Sequence, residues 1–205
     1  MIKKEVRFIP QEMRVKADEG ERKKIVGYAA RFNSLSEEMW GFREQIAPGA
    51  FTEALKKSDV RALFNHDPNY ILGRQSAGTV TLTEDDVGLR YEINPPDTQW
   101  ARDIVASIER GDIAESSFAF SMSGGVEEWD DSATPAIRTI RSVGNLYDVS
   151  PVTYPAYPEA TTGVRSSKEI YEEHQNERAR ATEGQEEEAP DYGLMKARLD
   201  LAEID

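Results

Sequence analysis

Short segments of alternating polar and apolar residues, bounded by turn residues, fill most of the first 165 positions of this chain. Alternation with a period of two is typical of β-strands. The pattern predicts eight or more strands within residues 2–9, 12–17, 23–32, 42–46, 60–64, 78–83, 88–93, 111–122, 136–143 and 145–149. Two helices are predicted, one over residues 50–57 and one from Asp97 or Thr98 to about Arg110. We therefore expect a mainly β fold with helices, an antiparallel β-barrel or sandwich against which the helices pack.

The composition changes after residue 165. Residues 166–205 carry 12 acidic and 5 basic side chains, so this tail holds −7 of the formal net charge of −13. Its pattern predicts a charged helix over residues 168–182, an acidic linker over 183–190 and a second amphipathic helix over 194–204. Two segments follow from this change: a folded domain, residues 1–165, and a helical acidic tail, residues 166–205. The tail is interpreted as a docking or self-cleaved segment, or as a disordered solvating one.

The composition excludes several kinds of function. The chain has no cysteine, which rules out disulfides, thiolate catalysis and cysteine-ligated zinc and fits a reducing cytoplasm. No segment is apolar and long enough for a signal peptide or a membrane span, so we expect no membrane association. The acidic net charge argues against nucleic-acid binding and favours protein partners. We also expect no metal site and no cofactor.

The predicted strand within residues 111–122 contains two adjacent serines in different environments. Alternation places Ser116 on the same face as Phe118 and Phe120, whereas Ser117 points to the other face with Glu115 and small residues. A hydroxyl that faces away from the aromatic residues can act as a nucleophile if a base lies within reach. The alternative is a half-exposed strand serine without a chemical role.

A base and an acid can be proposed for Ser117 from the few suitable residues. His66 follows the predicted strand that Pro68 is expected to end, and the other histidine, His174, lies in the charged tail helix, where a solvated surface role is expected. Imidazole can take a serine proton and return it to a leaving amine. Asp148, which interrupts an apolar strand, is the preferred third group, and Glu115 is the alternative acid.

Each of these residues also has an interpretation without chemistry. His66 fits a turn histidine that bonds Asp67 or a carbonyl group, and Asp148 fits an edge-strand residue that prevents aggregation. For a negative charge that develops at the substrate carbonyl, the sequence offers Arg138, Arg141 and a backbone amide near Ser117 as donors. The residues alone leave both interpretations open.

Several motifs in order resemble the prohead maturation proteases of tailed bacteriophages. These motifs are Phe64-Asn65-His66-Asp67-Pro68, Leu72-Gly73-Arg74, Gly78-Thr79, Gly88-Leu89, Pro96-Asp97-Thr98, Gly111-Asp112-Ile113, Ser117-Phe118-Ala119-Phe120 and the run from Leu146 to Pro158. The resemblance covers roughly residues 5–165. The chain departs from the family at Ala119, where glycine is frequent, and at Asp148, where glutamate is frequent.

The resemblance implies a fold and an activity. It implies the β-barrel of the herpesvirus assemblin proteases and a serine endopeptidase with Ser117, His66 and Asp148 as its catalytic triad. Such an enzyme works inside the immature capsid, in the host bacterial cytoplasm. There it cleaves the scaffold, or the scaffolding segment of the major capsid protein, and commonly itself. By analogy with related viral proteases, a homodimer is expected. The alternative is a non-enzymatic capsid assembly or scaffolding protein of the same β-barrel fold.

Overall fold

A computed structural model of the chain describes residues 3–9, 13–17, 23–154 and 166–187. These residues form twelve strands and three helices. The strands are β1 (Glu5–Ile9), β2 (Arg14–Ala17), β3 (Lys23–Arg31), β4 (Phe42–Ile46), β5 (Arg61–Phe64), β6 (Asp67–Arg74), β7 (Val80–Glu84), β8 (Gly88–Ile93), β9 (Glu115–Ser121), β10 (Val126–Asp130), β11 (Ala136–Ser142) and β12 (Asn145–Val152). The helices are α1 (Thr52–Lys57), α2 (Gln99–Arg110) and α3 (Ser167–Glu187).

The chain divides into two compact units, Met1–Lys168 and Glu169–Asp205. The first unit contains all twelve of these strands and helices α1 and α2. The second unit contains most of α3, which continues to Glu187, five residues beyond the predicted end at Thr182. The second predicted tail helix, over residues 194–204, lies outside the described residues. The proposed roles of the two segments stay predictions.

The strands of the first unit form three sheets. Their strand orders are β1-β9-β12-β5-β6, β10-β11-β4 and β2-β3-β8-β7. Most neighbouring strands are antiparallel, but β12 pairs with β5, and β11 with β4, in parallel. The fold is therefore mainly β with a few helices, as predicted. However, the described strands show no closed barrel and are not all antiparallel. Alternation along a strand does not encode which distant strand becomes its neighbour or in which direction.

Apolar residues that recur with the period of their helix or strand form the core of the first unit. Helix α2 buries Ala101, Ile104, Val105 and Ile108 on one stripe, and it ends at Gly111, which has the left-handed φ of 81°. Phe118 and Phe120 of β9 are fully buried and stack with ring centroids 5.2 Å apart. The aromatic face of β9 therefore points into the core, and its serine face points the other way.

Strand β3 is irregular. The register of β3 against β8 shifts between Tyr28 and Ala30, which marks a bulge. One residue earlier, a Cβ atom on Gly27 would lie 2.6 Å from the hydroxyl oxygen of Tyr91, so this position has no room for a side chain. The close approach places the Tyr91 hydroxyl beneath β9.

Two strands, β6 and β10, were not predicted. Pro68 was expected to end the strand before His66, but β5 ends at Phe64 and the proline is the second residue of β6. Because β6 is the edge strand of its sheet, a residue without an N–H group is tolerated there.

Candidate active site

Strands β9 and β12 bring two of the predicted site residues to one face of the five-stranded sheet. In the antiparallel pairing, Ser117 is opposite Ser150, and Asp148 is opposite Ala119. Cross-strand partners share a face of a sheet, and residues two apart on a strand do so as well. Ser117, Asp148 and Ser150 therefore project to the same side.

A two-residue turn carries His66 to the same place. Phe64 and Asp67 pair across the hairpin of β5 and β6, so Asn65 and His66 form its loop, with φ angles of 53° and 58°. Two positive φ angles are typical of the turn whose twist matches a β-hairpin. Positive φ is uncommon outside glycine, and asparagine and histidine are both enriched among the residues that adopt it. The turn therefore holds His66 in a backbone conformation that the surrounding contacts must maintain.

The turn is attached to the end of β12. The backbone N–H of Asn65 donates to the carbonyl oxygen of Pro151 at 3.0 Å, and the side-chain oxygen of Asn65 accepts from the backbone N–H of Thr153 at 2.9 Å. Because β12 also carries Asp148, these bonds tie the histidine to the strand of its acid.

The structure brings His66, Ser117 and Asp148 into direct contact. Nδ1 of His66 lies 2.5 Å from Oδ1 of Asp148, and Nε2 lies 2.6 Å from Oγ of Ser117. A carboxylate beside Nδ1 favours the tautomer with a proton on that nitrogen, which leaves Nε2 free to accept one. The arrangement can therefore move a proton from the serine hydroxyl to the imidazole.

A fourth residue, Ser150, was not singled out from the sequence. Its Oγ donates to Oδ1 of Asp148 at 2.9 Å and lies 3.4 Å from Nδ1 of His66. Ser150 is fully buried. Its position two residues after Asp148 on the same strand was the available signal, because alternation places both side chains on one face.

The three contacting residues differ in their access to solvent. Ser117 is fully buried, Asp148 is 6% exposed, and the His66 side chain is 18% exposed. The Oγ of Ser117 also lies 2.9 Å from the carbonyl oxygen of Arg7 on β1. The half-exposed serine considered from the sequence is therefore not observed.

The neighbouring serine serves a different role. Ser116, on the opposite face of β9, is fully buried, and its Oγ lies 2.6 Å from the hydroxyl oxygen of Tyr91. Burial raises the pKa of Tyr91, although the bond to Ser116 opposes this change. The tyrosine thus stays neutral and binds the inner face of β9.

The structure also distinguishes between the two acids proposed from the sequence. Asp148 contacts His66, whereas Glu115 is the first residue of β9 and pairs with Val152 of β12. Although Glu115 precedes Ser117 by only two residues, the acid that reaches the imidazole comes from the neighbouring strand.

Both arginines proposed as donors are bound to carboxylates. Arg138 is fully buried, and its guanidinium donates to Glu5, Glu44 and Glu127, while Arg141 donates to Glu128. Burial lowers the pKa of Arg138, but the carboxylates of Glu44 and Glu5 outweigh this and raise it. Backbone amides near Ser117 therefore stay the candidate donors for a substrate oxyanion.

The buried ion cluster, defined as Glu5, Arg7, Glu44 and Arg138, joins two sheets. Arg7 donates to Glu44 through Nε at 2.6 Å and through a terminal nitrogen at 2.9 Å. Burial lowers the pKa of Arg7, but Glu44 and Glu5 outweigh this effect and raise it. Because Glu5 and Arg7 belong to β1, the cluster fixes this edge strand to β4 and β11 of the three-stranded sheet.

The residues that the structure describes include no group of three histidine, cysteine, aspartate or glutamate side chains that could hold a metal ion. In the same part of the chain, no helix is long and apolar enough to cross a membrane.

Comparisons with known proteins complete the description of the site. A family model described as caudovirus prohead serine protease matches residues 11–176. The comparison with curated proteins finds no match. Among solved structures, the capsid assembly protease gp21 of bacteriophage T4 is similar, with a TM-score of 0.51 and 11% sequence identity. The alignment covers 73% of this chain and 97% of the T4 chain, and at this identity the likeness concerns the fold alone.

Proposed function

This chain belongs to the caudovirus prohead serine protease family, and on that premise we propose that it is a serine endopeptidase whose catalytic triad is Ser117, His66 and Asp148. The observation that carries this proposal is the position of the His66 ring. One of its nitrogens lies 2.6 Å from the serine hydroxyl, and the other lies 2.5 Å from the carboxylate. A base that contacts both the nucleophile and an orienting acid is the geometry required for acyl transfer.

The proposed reaction begins when Nε2 of His66 takes the proton of Ser117 and Oγ attacks the carbonyl carbon of a peptide bond. The tetrahedral intermediate collapses as the imidazolium gives its proton to the departing amine, which leaves an acyl group on Ser117. Water, deprotonated by His66, then releases the acyl group and restores the hydroxyl. Asp148 accepts the Nδ1 proton in a hydrogen bond, which holds the tautomer and stabilises the imidazolium.

The proposed substrates are the scaffold, or the scaffolding segment of the major capsid protein, and the enzyme itself. Membership in a prohead protease family, together with the likeness in fold to a protein described as a capsid assembly protease, supports capsid proteins as substrates. The proposed place of action is the interior of the immature capsid, in the host cytoplasm. A homodimer is proposed by analogy with related viral proteases.

The experiment that tests this function is co-expression of the Ser117→Ala variant with the capsid protein and scaffold. Removing the nucleophile of a triad lowers the rate by orders of magnitude, so we expect the precursors and the variant itself to stay full length by mass spectrometry. The matched control is Ser116→Ala, which removes the adjacent hydroxyl on the opposite face. We expect this control to process the precursors. Normal processing by Ser117→Ala would contradict the proposed function.

The burial of Ser117 favours one alternative, a non-enzymatic capsid assembly or scaffolding protein. On that alternative, the contacts among the three residues are structural, and a serine-directed fluorophosphonate would not modify the chain. The proposed protease would instead be labelled at Ser117, as peptide mapping can show. Labelling at Ser117 therefore distinguishes the two functions without knowledge of the cleavage site.

A further inference from the structure

Strand β1 lies against the candidate nucleophile. It forms one edge of the five-stranded sheet, where it is antiparallel to β9, and its Phe8 is the cross-strand partner of Ser117. The carbonyl oxygen of Arg7 lies 2.9 Å from Oγ of Ser117. A peptide backbone of this chain thus already occupies the space beside the hydroxyl that a peptide substrate must approach.

The contact with Arg7 competes with the transfer of the serine proton. A hydroxyl group has one proton, and two groups lie close enough to receive it, Nε2 of His66 and the carbonyl oxygen of Arg7. If the proton points to Arg7, then Nε2 must supply the proton for its own contact with Oγ. With Asp148 holding the proton on Nδ1, the ring is then an imidazolium and cannot act as a base. If the proton points to Nε2, the oxygens of Ser117 and Arg7 face each other without one.

The burial of Ser117 also indicates that β1 blocks the candidate site. Ser117 has no exposed surface, so a substrate carbonyl carbon cannot reach Oγ unless a covering segment moves. Of the two strands that flank β9 in its sheet, β12 is central and carries Asp148, whereas β1 is an edge strand of five residues. Short edge segments open locally more readily than central strands, and for β1 such opening breaks the bonds of Glu5 to Arg138 and of Arg7 to Glu44.

We propose that β1 occupies the position of the substrate strand, so that the protein in this conformation is latent. The inference rests on the proposed function. It adds that the peptide substrate binds as an extended strand and that β1 regulates access to the site. An extended peptide pairs with the edge of β9 after β1 has left it, as peptides add to exposed sheet edges in other proteins.

The side chains of β1 indicate the chemistry of such a peptide. Val6 and Phe8 share a face of the sheet with Ala119 and Ser117, so the peptide carries apolar side chains at these positions. On the other face, Arg7 forms its two bonds to Glu44. When β1 leaves, Glu44 loses this partner, and an arginine in the bound peptide would restore the pair.

A reversible covalent lock tests whether β1 must move. Val6 and Ala119 are cross-strand partners, and such pairs have the Cα separation that a disulfide requires. Because the chain has no cysteine, Val6→Cys/Ala119→Cys introduces its only two thiols. We expect fluorophosphonate labelling of Ser117 to fall at least tenfold when the full-length variant is oxidised and to return on reduction. The labelling rates of the oxidised and reduced forms are compared within one protein, so an effect of the two substitutions that is common to both forms cancels.

The matched control is Thr81→Cys/Glu92→Cys, which places a disulfide between cross-strand partners on β7 and β8. Oxidation of this control should leave the labelling rate unchanged. Equal labelling of the oxidised and reduced Val6→Cys/Ala119→Cys variant would overturn the latency of β1 and leave the proposed function intact. Absence of labelling in both forms and in the unsubstituted chain, together with uncut precursors when the unsubstituted chain is co-expressed with capsid protein and scaffold, would overturn the proposed function and the latency together.

A second variant acts in the opposite direction and is nearly isosteric. Glu5→Gln removes the charge with which β1 binds Arg138 of β11, at 2.7 Å, and with which Glu5 pairs with Arg7 of its own strand, at 3.0 Å. Weaker attachment of β1 should raise the labelling rate of Ser117 several-fold. Glu128→Gln, which removes the exposed ion pair with Arg141, is the control and should not change the rate. An unchanged or lower rate in Glu5→Gln would contradict the proposal.

Discussion

The carboxylate of Asp148 is held between a base and a hydroxyl group. His66 contacts Oδ1 at 2.5 Å, and Ser150 donates to the same oxygen at 2.9 Å. Aspartate is one methylene shorter than the glutamate frequent at this position in the resembled family, so it reaches the imidazole only if the strand and the turn lie close together. The bonds of Asn65 to Pro151 and Thr153 provide this proximity. At the scale of single residues, the geometry of the site therefore depends on Ser150 and Asn65, which hold Asp148 and the turn in place.

Ser150 gives the residue-scale prediction, as a positioning residue that acts through Asp148. In Ser150→Ala, the carboxylate loses a buried donor, and a hydrogen bond to a charged group contributes about 1.5–3 kcal/mol. We expect kcat for precursor cleavage to fall by about tenfold or more, with KM little changed.

The pH profile separates positioning from a loss of stability. If Ser150 orients the acid, the pH dependence of cleavage should shift in Ser150→Ala, because the proton-accepting ring loses part of its fixed partner. Ser150→Thr keeps the hydroxyl and should recover part of the rate. An unaltered pH profile, with a rate loss proportional to the unfolded fraction, would show that Ser150 is only structural.

At the scale of elements, the turn between β5 and β6 shows what alternation cannot predict. The sequence indicated a strand before His66, and Pro68 was interpreted as the residue that ends it. In the structure, the strand ends earlier, at a two-residue loop with two positive φ angles. Asparagine at the first loop position was the available signal, since it adopts such angles more readily than most residues. Turn chemistry, not hydrophobic pattern, determines where the histidine lies.

Asn65 gives the element-scale prediction, because it has two separable roles. Asn65→Gly keeps a residue that tolerates a φ of 53° but removes the side-chain bond to Thr153, whereas Asn65→Ala loses both features. We expect both variants to label Ser117 more slowly than the unsubstituted chain. Asn65→Ala should also be less stable than Asn65→Gly by about 1 kcal/mol, as urea denaturation can measure. Equal stability of the two variants would contradict the role assigned to the backbone angle.

At the scale of the whole molecule, the sequence predicted the strands better than their arrangement. Alternation along β9 predicted different environments for Ser116 and Ser117, and the structure places them in different environments. The assembly of three sheets was not predicted, since parallel neighbours such as β5 and β12 are far apart in the chain. The buried ion cluster was also missed. Glu5 and Arg138 occupy strand positions that look solvent-facing until a second sheet covers them.

The charge distribution gives the prediction for the whole molecule. The second unit begins at Glu169, after the first unit and its candidate site are complete, and the tail from residue 166 holds −7 of the net charge. We infer that this tail docks the enzyme to scaffold or capsid protein and does not take part in bond cleavage.

Deleting residues 169–205 should leave fluorophosphonate labelling of Ser117 within about twofold and reduce incorporation into proheads. A full-length Ser117→Ala chain, with an intact tail and no activity, is the control and should be incorporated normally. Because exposed charges are screened by salt, docking of the full-length chain to purified scaffold should weaken between low and physiological ionic strength. Unchanged incorporation of the truncated chain would show that the tail only solvates the protein, whereas loss of labelling would place part of the catalytic unit beyond Lys168.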